Sequence, residues 1–266
     1  MKCSMFRIAP IFEGLSERAL LIVIDAKGGT GKSMSAQVAV HALGGRGHVE
    51  CISTDTANSN LNQIGLATLP PVDLAERENI GHLLALADRV GVGESQFALV
   101  DTGARDEARL LPFLPGLARR LERNGARLIA VRPITLSHFC QANALQYGRQ
   151  RPAGTSCIFV RNLGQGRDEK HFERWKESVE RAEALRSGVV ETTIDSLGPL
   201  IADNATSFNL SLEDVAHGDF RRAGADMDRA EKLFDKARQL FVAEFLEAHG
   251  ERFRAALIKA AENSGL

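Results

Sequence analysis

The chain has 266 residues, with 33 Lys and Arg against 34 Asp and Glu and a formal net charge of -1 at pH 7. A composition 44% hydrophobic and 25% charged is that of a globular chain with a real core, and the length allows one large domain or two small ones. Balanced charge argues against coating nucleic acid over the whole surface, although a local basic patch would not show in the sum.

Residues 1–18 carry no clear period, and Lys2 precedes a broken apolar stretch without a cleavage site, so no signal peptide is predicted. Ala19-Leu20-Leu21-Ile22-Val23-Ile24-Asp25 is a continuous apolar run rich in β-branched residues, the pattern of a strand buried on both faces. After a glycine cluster, Ser33–Leu43 reads as a helix with Ala36, Val38, Ala39, Val40, Ala42 and Leu43 on a broad apolar face, ended by Gly44-Gly45. Val49–Ser53 and Phe97–Asp101 read as strands. Arg105–Asn124 reads as a helix interrupted near Pro112 and Pro115, and Arg127–Val131 as a strand that stops at Pro133. Ser137–Tyr147 is helical, Ser156–Arg161 a strand, His171–Leu185 a helix and Val189–Ile194 the last strand. From Asp226 to Glu262 the pattern is one or two long helices. Their docking stripe is read as Phe234, Ala237, Phe241, Phe245 and Leu246, at three- and four-residue steps.

Strands alternating with helices predict an α/β fold of three layers, a mostly parallel sheet with helices on both faces and a helical C-terminus. There is no repeat, low-complexity tract or linker, so residues 1–266 are predicted to form a single domain, with its C-terminal helices at about 226–263. No apolar run approaches the roughly 20 residues that span a bilayer. The four cysteines, Cys3, Cys51, Cys140 and Cys157, lie far apart with no CxxC. That spacing disfavours a disulfide framework, a zinc ribbon or a local cluster, and the expected compartment is the cytoplasm.

The most informative segment is Asp25-Ala26-Lys27-Gly28-Gly29-Thr30-Gly31-Lys32-Ser33, placed between a buried strand and a helix. A phosphate-binding loop needs glycines, so that backbone N–H groups can turn inward without a Cβ in the way. It needs a helix N-terminus behind it, a lysine for the outer phosphates and a hydroxyl for Mg2+. Gly28, Gly29, Gly31, Lys32 and Ser33 supply these in order. Phosphoryl transfer also calls for a carboxylate at the end of a neighbouring strand, and Phe97-Ala98-Leu99-Val100-Asp101 ends in one. An ordinary acidic strand end is the alternative for Asp101.

The usual first glycine of such a loop is replaced by Ala26, and a second lysine, Lys27, follows it. Lys-Gly-Gly-Thr-Gly-Lys-Ser resembles the deviant phosphate loop of the ParA/MinD family of ATPases, and the resemblance extends over roughly residues 19–200. It implies ATP and Mg2+ as cofactors, slow partner-stimulated ATP hydrolysis, and a nucleotide-sandwich homodimer in which Lys27 reaches the partner's phosphates. It places Asp101 as the metal-orienting aspartate beside Ser33. In Ser53-Thr54-Asp55-Thr56-Ala57-Asn58-Ser59-Asn60 it sets Asp55 as the aspartate that orients water and assists the metal, although the family's Pro-Gln is replaced by Thr56-Ala57. A turn-initiating Asp is the alternative there. Thr30 completes the loop, Met34 stands where the family often has a second hydroxyl for the α-phosphate, and Asn162 resembles the residue that reads adenine.

The family uses one engine for several tasks, so function has to be argued from the site. The leading reading is a ParA-like switch that positions or segregates DNA, in plasmid or chromosome partition or in conjugative transfer, with a protein activator or cargo adaptor. Nonspecific DNA contact would come from Arg119, Arg120, Arg123 and Arg127, or from Arg221, Arg222 and Arg229. The alternatives are a MinD-like switch recruiting a protein to a surface and a ligase of the dethiobiotin-synthetase type. Arg252-Phe253-Arg254-Ala255-Ala256-Leu257-Ile258-Lys259 has some membrane-binding character, diluted by Glu247, Glu251 and Glu262, so a core-docking helix is predicted.

Overall fold

In the computed structural model of the protein, which describes residues 18–56, 60–164 and 169–263, the first apolar run forms strand β1 (Arg18–Val23). Ala19, Leu21 and Val23 enter one hydrophobic cluster, while Leu20, Ile22 and the following Ile24 enter another. Both faces of the strand are therefore covered, which is why no polar position interrupts the run. The chain continues as α1 (Lys32–Ala42), β2 (Val49–Ser53), α2 (Asn60–Gln63), α3 (Ile80–Val92), β3 (Phe97–Asp101), α4 (Glu107–Leu110), α5 (Leu114–Arg123) and β4 (Ala126–Ile134). It then forms α6 (His138–Gln150), β5 (Thr155–Asn162), α7 (Glu173–Lys176), α8 (Val179–Arg186) and β6 (Val190–Ile194). Four helices close it: α9 (Pro199–Ser207), α10 (Leu212–His217), α11 (Met227–Leu233) and α12 (Lys236–Glu262).

The six strands lie in the order β2-β3-β1-β4-β5-β6, and every neighbouring pair is parallel. One face is covered by α1, α10 and α12 through Val38, Val215, Phe245 and Phe253. The other is covered by α3, α5, α6 and α7 through Leu86, Leu117, Tyr147 and Trp175. This is the expected three-layer α/β architecture. The chain leaves β1 toward β2 on one side and returns to β4 on the other, and ligands of open parallel sheets bind outside the C-terminal ends of strands at such a reversal.

Three local expectations need correction. β4 does not stop at Pro133; Arg132, Pro133 and Ile134 pair with Phe159, Val160 and Arg161 of β5. The β1 pairing ends at Val23 and Val131, so the proline, with no N–H to give, falls where one neighbour has already left. The segment His171–Leu185 is not one helix. Ser178 adopts an extended conformation and its hydroxyl accepts the Arg181 N–H at 3.0 Å, restarting the chain as α8.

The docking stripe of α12 is also different. Phe234, Phe245 and Leu246 are buried, but Ala237 and Phe241 face solvent. Asp235 caps the helix by accepting the Arg238 N–H at 2.9 Å, so Phe234 lies before it and does not share its period. The buried face is Val242, Phe245, Leu246, His249, Gly250, Phe253, Ala256, Leu257 and Ala260. Gly250 allows a close crossing, since a Cβ there would stand 2.9 Å from His41 Cδ2 on α1. The helix that starts at the phosphate loop is thus braced from behind by α12. Phe253→Ala, which empties a fully buried site, is expected to cost about 3–5 kcal/mol, read as a lower urea midpoint. Phe253, Ala256 and Leu257 point into the core, as predicted for a docking helix. No helix among the described residues is long and apolar enough to cross a membrane.

Candidate nucleotide-binding site

The glycine loop runs from the end of β1 into α1. Gly29 (φ 71°) and Gly31 (φ 91°) take left-handed conformations that a side chain would strain. Gly31 is the N-cap of α1, no side chain caps that end and its first turn holds no acidic residue. The N–H groups at this end are therefore available to an anion, which the helix dipole also favours. Lys32 is almost buried and lays its ammonium across its own loop, donating to Lys27 O at 2.9 Å and Asp25 O at 3.3 Å. An incoming phosphate would give that ammonium a charged acceptor in place of two carbonyls.

A cavity of about 560 Å³ opens over this loop, within the range of small-molecule sites. Gly28, Gly29, Gly31, Lys32, Ser33 and Met34 line it from the loop, Asp55 from the end of β2, and Asn162 from the end of β5. Asp195, Gly198 and Thr206 form the opposite wall. Most of the residues expected from the sequence therefore meet in one place. Thr30 is buried beneath the loop, and Lys27 is exposed outside the cavity wall, its ammonium 3.3 Å from the Ser137 hydroxyl. The segment Ala57-Asn58-Ser59 lies outside the described residues.

Asp101 sits under Ser33, whose hydroxyl donates to Asp101 Oδ2 at 3.1 Å. Burial pushes the Asp101 carboxyl up to about 7, against the Ser33 hydrogen bond and the Lys32 charge, while the Asp55 carboxylate raises it further. Its other oxygen, Oδ1, is buried without a hydrogen-bond partner. An orphaned carboxylate oxygen beside a hydroxyl fits a cation. No group of three or more His, Cys, Asp or Glu that could hold a metal occurs among the described residues. Mg2+ needs none, because it keeps several waters and takes one or two protein ligands plus phosphate oxygens. Ser33 and Asp101 could hold it, with Asp55 at the cavity edge.

Asn162 spends its amide inside the site. Nδ2 donates to Thr30 O at 3.0 Å and Oδ1 accepts the Gly164 N–H at 2.9 Å. The amide thus ties β5 to the phosphate loop.

Several site residues carry no sequence signal of their own. Asp195 follows the last strand and is held by two α12 side chains, Arg252 at 3.0 Å and His249 at 3.5 Å. Thr54, Asp106, Glu107 and Arg132 form a buried polar set below the cavity. Asp106 and Glu107 do follow the acidic end of β3 in sequence, but only the fold shows what they touch.

The arginines considered for DNA divide. On α5, Arg119 and Arg123 are exposed, whereas Arg120 is paired with Asp88, and Arg127 lies on β4. Farther on, Arg221 is paired with Asp219 and Arg229 stacks 5.8 Å from the Phe208 ring centre.

No protein-family model matches this chain, and no curated protein sequence does. Among solved structures, it is similar to a Cyanothece McdA–ATP complex, with 13% identity and a TM-score of 0.38, covering 80% of this chain and 96% of that one.

Proposed function

We propose that this chain is a ParA/MinD-type ATPase, acting as a single domain in the cytoplasm, whose ATP-dependent sandwich dimer positions or segregates DNA and is reset by hydrolysis. One observation carries the reading: the loop's two lysines are sorted to different places. Lys32 lines the cavity, and Lys27 is exposed beside Ser137, outside the cavity wall. A cation that does not serve its own cavity is available to a second copy's phosphates.

In this reading the loop N–H groups and Lys32 bind the triphosphate, and Met34 leaves the α-phosphate to backbone donors. Ser33 and Asp101 would hold Mg2+, which when bound would neutralise phosphate charge. Asp55 orients the attacking water in line with the γ-phosphorus, and the partner's Lys27 stabilises the charge that spreads over the transferring group. Asn162 contacts adenine by exchanging Thr30 O for the base edge. The exposed Arg119 and Arg123 supply phosphate contacts to DNA, doubled by dimerisation, and a protein activator or cargo adaptor completes the cycle.

The test is sedimentation of the full chain with Mg2+ and ATP or ADP, beside retention on DNA at increasing salt. The expected result is a dimer with ATP only, and DNA retention that falls steeply as salt rises. A monomer in ATP overturns the sandwich. Flotation with anionic vesicles in place of DNA retention favours the surface-recruitment alternative.

A further inference from the structure

Two adjacent residues just past β3, Asp106 and Glu107, are buried although both carry a charge, at 4% and 7% exposure. Buried carboxylates need partners; both Asp106 oxygens have them, and Glu107 has one through Oε1. Asp106 Oδ2 accepts the Thr54 hydroxyl and, at 3.1 Å, the Gly103 N–H. That same N–H lies 3.1 Å from Thr54 Oγ1, so Thr54, Gly103 and Asp106 close a three-membered clasp. The other Asp106 oxygen takes Arg109 at 3.1 Å.

Glu107 points the opposite way, accepting Arg132 of β4 at 2.7 Å. Arg132 is itself 1% exposed, stands 3.8 Å from Asp25 at the start of the phosphate loop, and lies 4.8 Å from the Tyr147 ring centre. The turn that carries Asp106 is therefore anchored to the sheet beneath the loop.

Thr54 directly precedes Asp55, and it is held at both ends. Its N–H donates to Asp101 O at 2.9 Å, and its hydroxyl is in the clasp. The packing leaves no slack, because a Cβ on Gly103 would stand 2.6 Å from Asp106 Oδ2 and 3.4 Å from Asp55 Cα. The placement of Asp55 against Asp101 thus depends on a carboxylate that does not line the cavity.

We infer that Asp106 is a positioning residue for ATP hydrolysis, acting through Thr54 to hold Asp55 in register with the Ser33–Asp101 pair, while Glu107 and Arg132 anchor its turn to the phosphate-loop base. The inference rests on the ATPase reading above. Replacing the whole clasp by apolar groups of the same shape would cost little, whereas deleting one partner leaves a buried carboxylate short of a donor and costs about 1–3 kcal/mol of stability. Misplacing a water-orienting group by a fraction of an ångström, in contrast, costs rate. Loss of the clasp therefore lowers turnover at unchanged affinity, beyond the loss of stability that a folded variant carries.

The experiment measures kcat, the Kd of a fluorescent ATP analogue and the melting temperature for the full chain and for Thr54→Val, Thr54→Ser and Asp106→Asn. Thr54→Val and Asp106→Asn are expected to lower kcat at least about 10-fold with Kd within about 3-fold. Thr54→Ser, which keeps the hydroxyl, is expected to restore most of the rate, and the double variant to be no worse than the singles. If Asp106→Asn does not fold, the near-isosteric Thr54→Val beside Thr54→Ser makes the same comparison. An active wild type with Thr54→Val at wild-type kcat, or with affinity lost in proportion to kcat, overturns this inference alone. A wild type that binds but never hydrolyses ATP overturns the ATPase reading, and this inference with it.

Discussion

Lys27→Ala is expected to lower ATP turnover by about 10³-fold while leaving the Kd of a fluorescent ATP analogue nearly unchanged, and to abolish the ATP-dependent dimer. The size follows from other phosphoryl-transfer enzymes, where a cation supplied in trans is worth about 10³-fold or more. The split between kcat and Kd follows from position, since Lys27 is exposed outside its own cavity. Lys32→Ala makes the necessary contrast. Its ammonium lies inside the cavity, where it holds the Lys27 and Asp25 carbonyls. Removing it strips the loop of its nearest cation and of two internal contacts, so analogue binding should fall by about 10²-fold or more, and turnover with it. Stopped-flow phosphate release, analogue titration and light scattering on the same three proteins decide the matter. Lys27→Ala turning over at wild-type rate as a monomer would sink the sandwich.

Gly31→Ala is expected to be as damaging without removing any charge. At φ 91° the backbone is left-handed, and a Cβ there would stand 1.7 Å from Asn162 Nδ2 and 2.9 Å from Asn162 Cγ. That amide bonds Thr30 O and the Gly164 N–H, so yielding to the new Cβ would break the tie between β5 and the loop and displace the group that the proposed function assigns to adenine. Strain of this kind costs about 1–3 kcal/mol, and the N–H groups of the loop would lose their common direction. Analogue affinity should fall by about 10²-fold, and the melting temperature should drop. Gly116→Ala is the control, since a Cβ there on α5 meets nothing within 4 Å and its φ is not left-handed. That change should raise stability by about 0.5–1 kcal/mol and leave affinity alone. Equal losses from both substitutions would show that the loop geometry is not what matters.

Much of this fold can be read from hydrophobic period alone. The β1 run is apolar on every residue because both its faces are covered, and such a run beside a glycine cluster and a helix has few other readings. Period alone gives the six strands to within a residue or two, except that β4 runs three residues farther, to Ile134. The helices were less legible where a cap, rather than a period, decides them. Ser178 starts a new helix inside a continuous helical pattern, and Asp235 separates Phe234 from the α12 face. Helix α3 lies in a stretch where the strand–helix alternation gave no warning of it, and α9, which walls the cavity, is short and opens on Gly198-Pro199.

For the candidate site, the local sequence is enough to nominate the glycine loop, because its glycines, lysines and serine are contiguous and each answers a separate chemical need. Asp55, Asp101 and Asn162 could be nominated, since each stands at or just past the end of a strand and parallel strands deliver their C-terminal ends to one edge. Only the tertiary structure decided which groups lie below that edge. Arg132 looks like any polar residue in a strand until β4, α4 and β1 bring Glu107 and Asp25 against it. Asp106 is 52 residues from the threonine it holds, a separation that no local pattern encodes. Contiguous chemistry is written along the chain, whereas the contacts that position it form only when distant strands are set side by side.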